Sequence, residues 1–345
     1  MSTALESLIT RFKTLGIDQQ LDYDKYYLYS IITHSTAIEG STVTELENQI
    51  MFDEGISLKG KSLEEQMMNL DLKVAYEKCI RIAKGQKEIT VAFLQEIAAL
   101  VMKNTGKEYR TALGDFSSAN GDLRLLNVTA GAGGKSYMNY NKVPDRLRAF
   151  CEQLNANRRG IGSFNMQQKY EWTFDAHYKL VTIHPWADGN GRMARLFMNY
   201  LQFEQGLIPS KILKEDREEY IRALIATREN EDLTLFRNFM SDIMIKNLNH
   251  DIEVFLDSSE IESETGREKP EISREKAIKS REKIISLLAE NSTLSAIAIA
   301  QKIGITPKAV EKHFSKLKAE GIIRRIGPDK GGHWEISQTR LANLD

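Results

Sequence analysis

Apolar residues recur at steps of three and four from Leu5 to about Asn104, the spacing that puts them on one face of an α-helix. Helices are therefore expected over 17–38, 46–52, 63–84 and 90–103, with Gly55 and Gly60 breaking the run between two of them. The pattern changes between Tyr109 and Tyr140. Gly, Asn, Ser and Thr dominate there, and the remaining apolar residues (Leu123, Leu125, Val128, Tyr137, Met138) suit short strands, so a hairpin is expected. Helical spacing returns over 144–155 and 166–182. It resumes after His184 with Ala194, Leu196, Phe197, Tyr200 and Leu201, then after a Gly206/Pro209 loop over 217–227 and 233–246.

Residues 257–272 are polar and acidic and contain Gly266 and Pro270, which reads as a linker. Past it, helices are expected over 277–288 and 294–303. A third, capped by Thr306 with Pro307 at its first position, runs to Glu320, and 322–326 pairs with 333–336 as a hairpin. The chain thus divides into an N-terminal helical region (1–104), a core containing the first hairpin (105–250), a linker (251–273) and a small C-terminal domain (274–345). The fold class is mainly α.

Composition narrows the setting. The chain has 345 residues, and 47 Lys plus Arg nearly cancel 48 Asp plus Glu, for a net charge of −1. No whole-chain field favours nucleic acid or membrane, so any such partner is read locally. Only two cysteines are present, Cys79 and Cys151, both in amphipathic stretches, which excludes a disulfide framework and predicts reduced core thiols. The early Glu6 and the lack of a long apolar run point to a cytoplasmic protein with no membrane span.

The chemistry is concentrated in His184-Pro185-Trp186-Ala187-Asp188-Gly189-Asn190-Gly191-Arg192-Met193-Ala194-Arg195. Gly189, Asn190 and Gly191 allow a tight turn whose N–H groups face an anion at the N-terminus of the following helix. Arg192 and Arg195 carry forked guanidinium groups suited to two different phosphates. Asp188 is a hard oxygen ligand for Mg²⁺, and His184 is the side chain here that accepts a proton near neutral pH. A glycine-rich stretch at Gly131-Ala132-Gly133-Gly134-Lys135-Ser136 ends like a P-loop, but Thr129 stands where the first glycine is required and no long helix can follow.

The 184–195 segment resembles the Fic family signature H-x-F-x-[DE]-G-N-G-R-x-x-R, departing from it only at Trp186, where the family has Phe. Trp186 is expected to anchor the loop in the core as Phe would. The resemblance implies a Fic-type helical bundle with a β-hairpin flap. It also implies a protein adenylyltransferase that moves AMP from ATP to a Ser, Thr or Tyr hydroxyl of a target protein. In that reading His184 takes the hydroxyl proton, Asp188 holds Mg²⁺, and the Gly189–Gly191 amides with Asn190 and Arg192 serve the phosphates. Arg195 meets the γ-phosphate. The flap of such proteins registers its target by strand addition, with Gly134, Lys135, Ser136 and Tyr137 as its active-site portion here. Tyr220 and Asn230 are the candidates for enclosing adenine.

Upstream, Ser35-Thr36-Ala37-Ile38-Glu39-Gly40 resembles the inhibitory motif [ST]-x-x-x-E-[GN] of many Fic proteins. Glu39 is then expected to pair with Arg195 and so deny it to the γ-phosphate. In some relatives the same glutamate assists AMP removal, and the direction of transfer stays open. The C-terminal domain resembles a winged helix-turn-helix, with Lys308, Lys312 and Lys316 on one helix face. DNA is a candidate partner there, and a nucleotide-sensing DNA-binding regulator that modifies itself is the alternative function. A homodimer is compatible with the sequence. His177, two turns before His184, reads as a satisfied core residue.

Overall fold

The computed structural model describes residues 2–20, 22–130, 135–263, 281, 283–303, 310–311, 313–314, 317–318, 322–326 and 332–337. It divides into two compact units, Met1–Phe255 and Leu256–Asp345.

The first unit runs α1 (Ser2–Thr14), α2 (Tyr23–Ile38), α3 (Glu45–Glu54), α4 (Leu63–Ala83) and α5 (Val91–Val101). A two-stranded hairpin follows, β1 (Glu108–Thr111) with β2 (Gly114–Ser117). Then come α6 (Val143–Arg159), α7 (Met166–Ile183), α8 (Asn190–Glu204), α9 (Arg217–Asn230) and α10 (Leu233–Ser263), whose residues from Leu256 on are counted with the second unit. Helix starts follow local chemistry. Thr44 with Glu47, Ser62 with Glu65, and Asn165 with Gln168 form capping boxes that satisfy the orphan N–H groups of α3, α4 and α7. The helix expected over 17–38 starts as a separate 3₁₀ turn at Ile17–Gln19, because Asp22 takes a left-handed conformation between the turn and α2.

α8 is the centre of the bundle. It is buried from Arg192 to Gln202 and packs against α7, α4, α5 and α2. A helix buried on all sides must satisfy its polar side chains internally. Accordingly Asn199 Oδ1 accepts from the Tyr76 hydroxyl at 2.7 Å, and Gln202 bonds Ser210 and Thr173. Cys79 and Cys151 are buried free thiols, as expected. No helix among the described residues is long and apolar enough to cross a membrane.

Two expectations need correction. The strands between 109 and 140 form mainly at β1 and β2, paired antiparallel with Tyr109 opposite Phe116. Leu123 and Leu125 lie in irregular chain, and the flap arms meet in a single bridge, Thr129 with Ser136. The linker expected at 251–273 is helical over its first part. α10 continues through Ser263, since no Gly or Pro interrupts it before Gly266. The remainder of that linker lies outside the described residues.

In the second unit a helical stretch at 283–290, α11 (Ala296–Ile303) and the hairpin β3 (Ile323–Ile326) with β4 (His333–Ile336) surround Ile284, Leu288, Ile299, Phe314, Ile323 and Trp334. Thr306, Pro307, Lys308, Lys312 and Lys316 lie outside the described residues.

Candidate active site

The loop between α7 and α8 is built to hold one geometry. His184 ends α7 in a left-handed conformation (φ 51°), rare for a residue with a Cβ and imposed here by its surroundings. Its backbone N–H donates to Leu180 O at 3.0 Å. Trp186 is buried and donates from Nε1 to Gly121 O, anchoring the loop as anticipated for the aromatic at that position. Asn190 clamps the turn from within, donating from Nδ2 to Trp186 O and accepting from Trp186 N–H at Oδ1. Its side chain shapes the loop.

α8 starts without a side-chain cap. Gly189 supplies the positive φ (76°) at its N-cap, and the first N–H groups of the helix have no intrahelical acceptor. An uncapped N-terminus of a buried helix is an anion site. Arg192 lies beside it, buried, with only long contacts to Val101 O and Thr105 Oγ1 and one to Met102 Sδ. Its Nε has no partner among the described residues. Burial holds its pKa below the ordinary guanidinium value, although Glu39 and Asp188 oppose that.

Arg195 is fully engaged by the end of α2. Nε donates to Ser35 Oγ at 2.8 Å, and Nη2 donates to Ser35 O at 2.8 Å and to Glu39 Oε1 at 2.6 Å. α2 stops where Glu39 can reach. Gly40, at φ 107°, lets Ser41 N–H turn back to Thr36 O, the helix-ending turn that glycine allows. Glu39 also lies against the first turn of α8, for any Cβ on Gly191 would run into its Oε1. Burial pushes the Glu39 carboxyl up, but its bond and charge interaction with Arg195, aided by Arg192 and Arg217, hold it below its ordinary value. A carboxylate thus occupies the anion position.

His184 Nδ1 lies 3.3 Å from Val181 O, which assigns the proton to Nδ1 and leaves Nε2 as acceptor. Burial pulls its pKa down to about 4, with Arg124 adding to the effect and Val181 O, Glu39 and Asp188 opposing it. The ring is covered by Tyr137 of the flap, whose centroid is 3.7 Å away at 15°. The flap arms join through Tyr137 N–H to Val128 O and Ala130 N–H to Lys135 O, and Lys135 pairs with Glu229 of α9 at 2.8 Å. Ser136 forms the bridge with Thr129, and Gly134 lies outside the described residues.

A cleft of about 1170 Å³ opens beside these groups, bounded by Glu39, the flap at Tyr137, Tyr178 of α7, and Ile221, Leu224 and Ile225 of α9. Tyr220 and Asn230 do not reach it. Tyr220 is buried below Arg195, its ring 5.9 Å from the guanidinium carbon and its hydroxyl 3.1 Å from His177 Nε2. Asn230 is exposed and donates to Ala226 O one turn back. The apolar step on α9 falls one residue later than expected, so Ile221 faces the cleft and Tyr220 the core. His177 is a core histidine, as anticipated, but only half satisfied: Nε2 meets the Tyr220 hydroxyl while Nδ1 has no partner among the described residues.

Asp188 is exposed, and its one hydrogen bond, from Gly189 N–H to Oδ1 at 2.7 Å, leaves Oδ2 able to take a metal. No group of three or more His, Cys, Asp or Glu among the described residues could hold an ion unaided. A lone carboxylate suits Mg²⁺ arriving with phosphates.

Arg124 escaped the motif reading. It is 1% exposed and bonds three backbone carbonyls, those of His184, Leu126 and Met138. A lone cation inside Leu123-Arg124-Leu125-Leu126 was its only sequence signal.

Residues 88–202 match the Fic/DOC family model, and 279–324 match the winged helix-turn-helix DNA-binding model. Protein adenylyltransferase Fic of Drosophila grimshawi is 30% identical over 228 residues, 63% of this chain and 41% of its own length. Protein adenylyltransferase fic-1 of Caenorhabditis briggsae is 28% identical over 204 residues, 58% of this chain and 36% of its own. The chain therefore spans only about two fifths of these curated relatives. In fold it resembles a Fic domain-containing signalling protein from Bacteroides thetaiotaomicron (TM-score 0.61, 20% identity, 73% of this chain and 96% of that one). It also resembles a Fic family protein from Desulfovibrio desulfuricans (TM-score 0.59, 17% identity, 98% and 94%). Over residues 88–202 the chain thus matches the Fic/DOC family model and shares the fold of Fic proteins, and over 279–324 it matches the winged helix-turn-helix DNA-binding model.

Proposed function

We propose that this chain is a protein adenylyltransferase restrained by its own Glu39. The observation that carries the reading is the Glu39 carboxylate seated on the N-terminal turn of α8 and bonded to Arg195, where a triphosphate would need to lie. Once Glu39 leaves, the free N–H groups of α8, Arg192 with its unpartnered Nε, and Arg195 form a cradle for the phosphates of ATP. The apolar wall of Ile221, Leu224 and Ile225 takes the adenine.

His184 Nε2 accepts the proton of a target Ser, Thr or Tyr hydroxyl, the hydroxyl oxygen bonds the α-phosphorus, and pyrophosphate departs. Asp188 is the residue that would hold Mg²⁺, whose contribution when bound is to neutralise phosphate charge. The flap edge offers backbone groups to an extended target segment. Removal of AMP is a second reaction for the same groups, in which water attacks the phosphorus of the AMP-modified hydroxyl, AMP and the free hydroxyl depart, and Glu39 assists.

The test is intact mass after incubation with ATP and Mg²⁺, for wild type, Glu39→Gly, and Glu39→Gly with His184→Ala. An added AMP on the single variant only is the expected result. Equal AMP addition by all three would remove both residues from their roles, and a phosphate-mass adduct would replace AMP transfer with phosphoryl transfer.

A second reading concerns the C-terminal segment, supported by its match to a DNA-binding family model: the chain binds DNA there and its Fic region reports nucleotide through self-modification. A homodimer would allow one copy to modify another.

A further inference from the structure

Arg124 is a buried cation without a carboxylate partner among the described residues. Burying a guanidinium is costly unless its donors are used, and here all three bonded donors go to backbone carbonyls. Nε takes His184 O at 2.8 Å, Nη1 takes Leu126 O at 2.7 Å, and Nη2 takes Met138 O. Leu126 and Met138 lie at the two arms of the flap, just outside the Val128–Tyr137 pairing. Arg124 N–H also donates to Pro185 O at 3.0 Å. The residue next to Met138 is Tyr137, whose ring covers His184.

We infer that Arg124 is a positioning residue that locks the flap to the base, so that the left-handed backbone of His184 and the seat of Tyr137 on its imidazole are held by one guanidinium fork. The planar fork is what allows this. A lysine ammonium keeps the charge but cannot span three carbonyls set in a plane around it. Tyr137 in this seat shields one face of the imidazole. Arg124 therefore sets both the cover of the ring and the backbone seat of the base. The part of this inference that concerns transfer rests on His184 being the base. The positioning itself does not.

The charged and titratable groups that act on the His184 ring are Tyr137 from the flap, Glu39 from α2, Asp188 from the loop and Arg124 itself. The experiment is nuclear magnetic resonance of the full chain with isotope-labelled histidine, which has six such residues, with His184→Asn to assign the signal. In wild type the His184 ring protons should be shifted upfield by the Tyr137 ring, and should titrate near pH 4. Tyr137→Leu should abolish the upfield shift with Arg124 in place. Arg124→Gln and Arg124→Lys should both lose the shift and move the titration towards 6.5. In a Glu39→Gly background they should lower kcat about tenfold or more with KM for ATP unchanged, the mark of a misplaced base.

Retention of both signals in Arg124→Lys would overturn the inference and leave Arg124 a carbonyl-satisfying residue only. Should Arg124→Gln fail to fold, Arg124→Lys alone decides. If Glu39→Gly transfers no AMP, the adenylyltransferase reading fails while the resonance data still judge the lock.

Discussion

Gly189 and His177 show how much of the site rests on single side chains or on their absence. Gly189 has φ of 76°, and a Cβ there would collide with Met102 Sδ and Cγ. Gly189→Ala should lower unfolding stability by about 1–3 kcal/mol in urea titration, the usual cost of a side chain in left-handed backbone with a close neighbour. His177 is fully buried, and burial, with Arg195 adding to it, pulls its pKa to about 3. Between pH 6.5 and about 3 the unfolded chain therefore binds one proton that the native chain refuses, so stability rises with pH across that window and is lost on acidification. His177→Gln should flatten this slope by about 1.4 kcal/mol per pH unit, read from urea midpoints at pH 7 and pH 4.5. An unchanged slope would mean that His177 charges freely in the folded protein.

α2 is held where it is by a buried polar network as well as by its apolar face. Thr36 Oγ1 donates to Asn69 Oδ1 at 2.8 Å, Asn48 Nδ2 donates to Thr33 Oγ1 and to Asn69 Oδ1, and Asn69 Nδ2 donates to Ser41 Oγ. These bonds tie the last turns of α2 to α3 and α4, and through them set the position of Ser35 and Glu39. Such networks specify one placement because each unmade bond is costly in the interior. Asn69→Ala should destabilise the fold by about 1–3 kcal/mol. It should also raise AMP transfer above wild type without touching Glu39. A melting shift with unchanged transfer would confine Asn69 to stability. α8 imposes the opposite constraint. Buried on every side, it cannot move to admit a ligand, so access to Arg195 must come from motion at the α2 end.

For the protein as a whole, the two units invite separable tests. The full chain titrated against a duplex of about 20 base pairs should bind with an affinity that falls steeply between about 50 and 200 mM salt, as counterion release requires. His184→Ala should leave that binding intact. Binding that ignores salt, or disappears with His184, would set aside DNA recognition by the C-terminal segment. Trp334, buried beside Phe314 in that unit, is flanked by Lys318 at 5.0 Å and Arg325 at 5.1 Å, which places cations beside the strand pair.

Several features were legible in the amino-acid order because their causes are local. The glycine turn before α8 and the 184–195 signature need only neighbouring residues, as does the spacing of Ser35, Glu39 and Gly40. Local pattern also separated the C-terminal domain from the rest. It could not place the boundary within α10, because a polar helix without Gly or Pro looks like a linker until its backbone is seen. Nor could it choose between Tyr220 and Ile221 for the cleft wall, since one residue on a helix turns a side chain by about 100° and only the packing against Arg195 and His177 settles the rotation. The Arg124–Met138, Asn48–Asn69 and Glu39–Arg195 contacts join residues 14 to 156 positions apart. Charge and hydrogen-bonding capacity name the groups that need partners, but which partner each obtains is decided when the bundle closes and water is excluded.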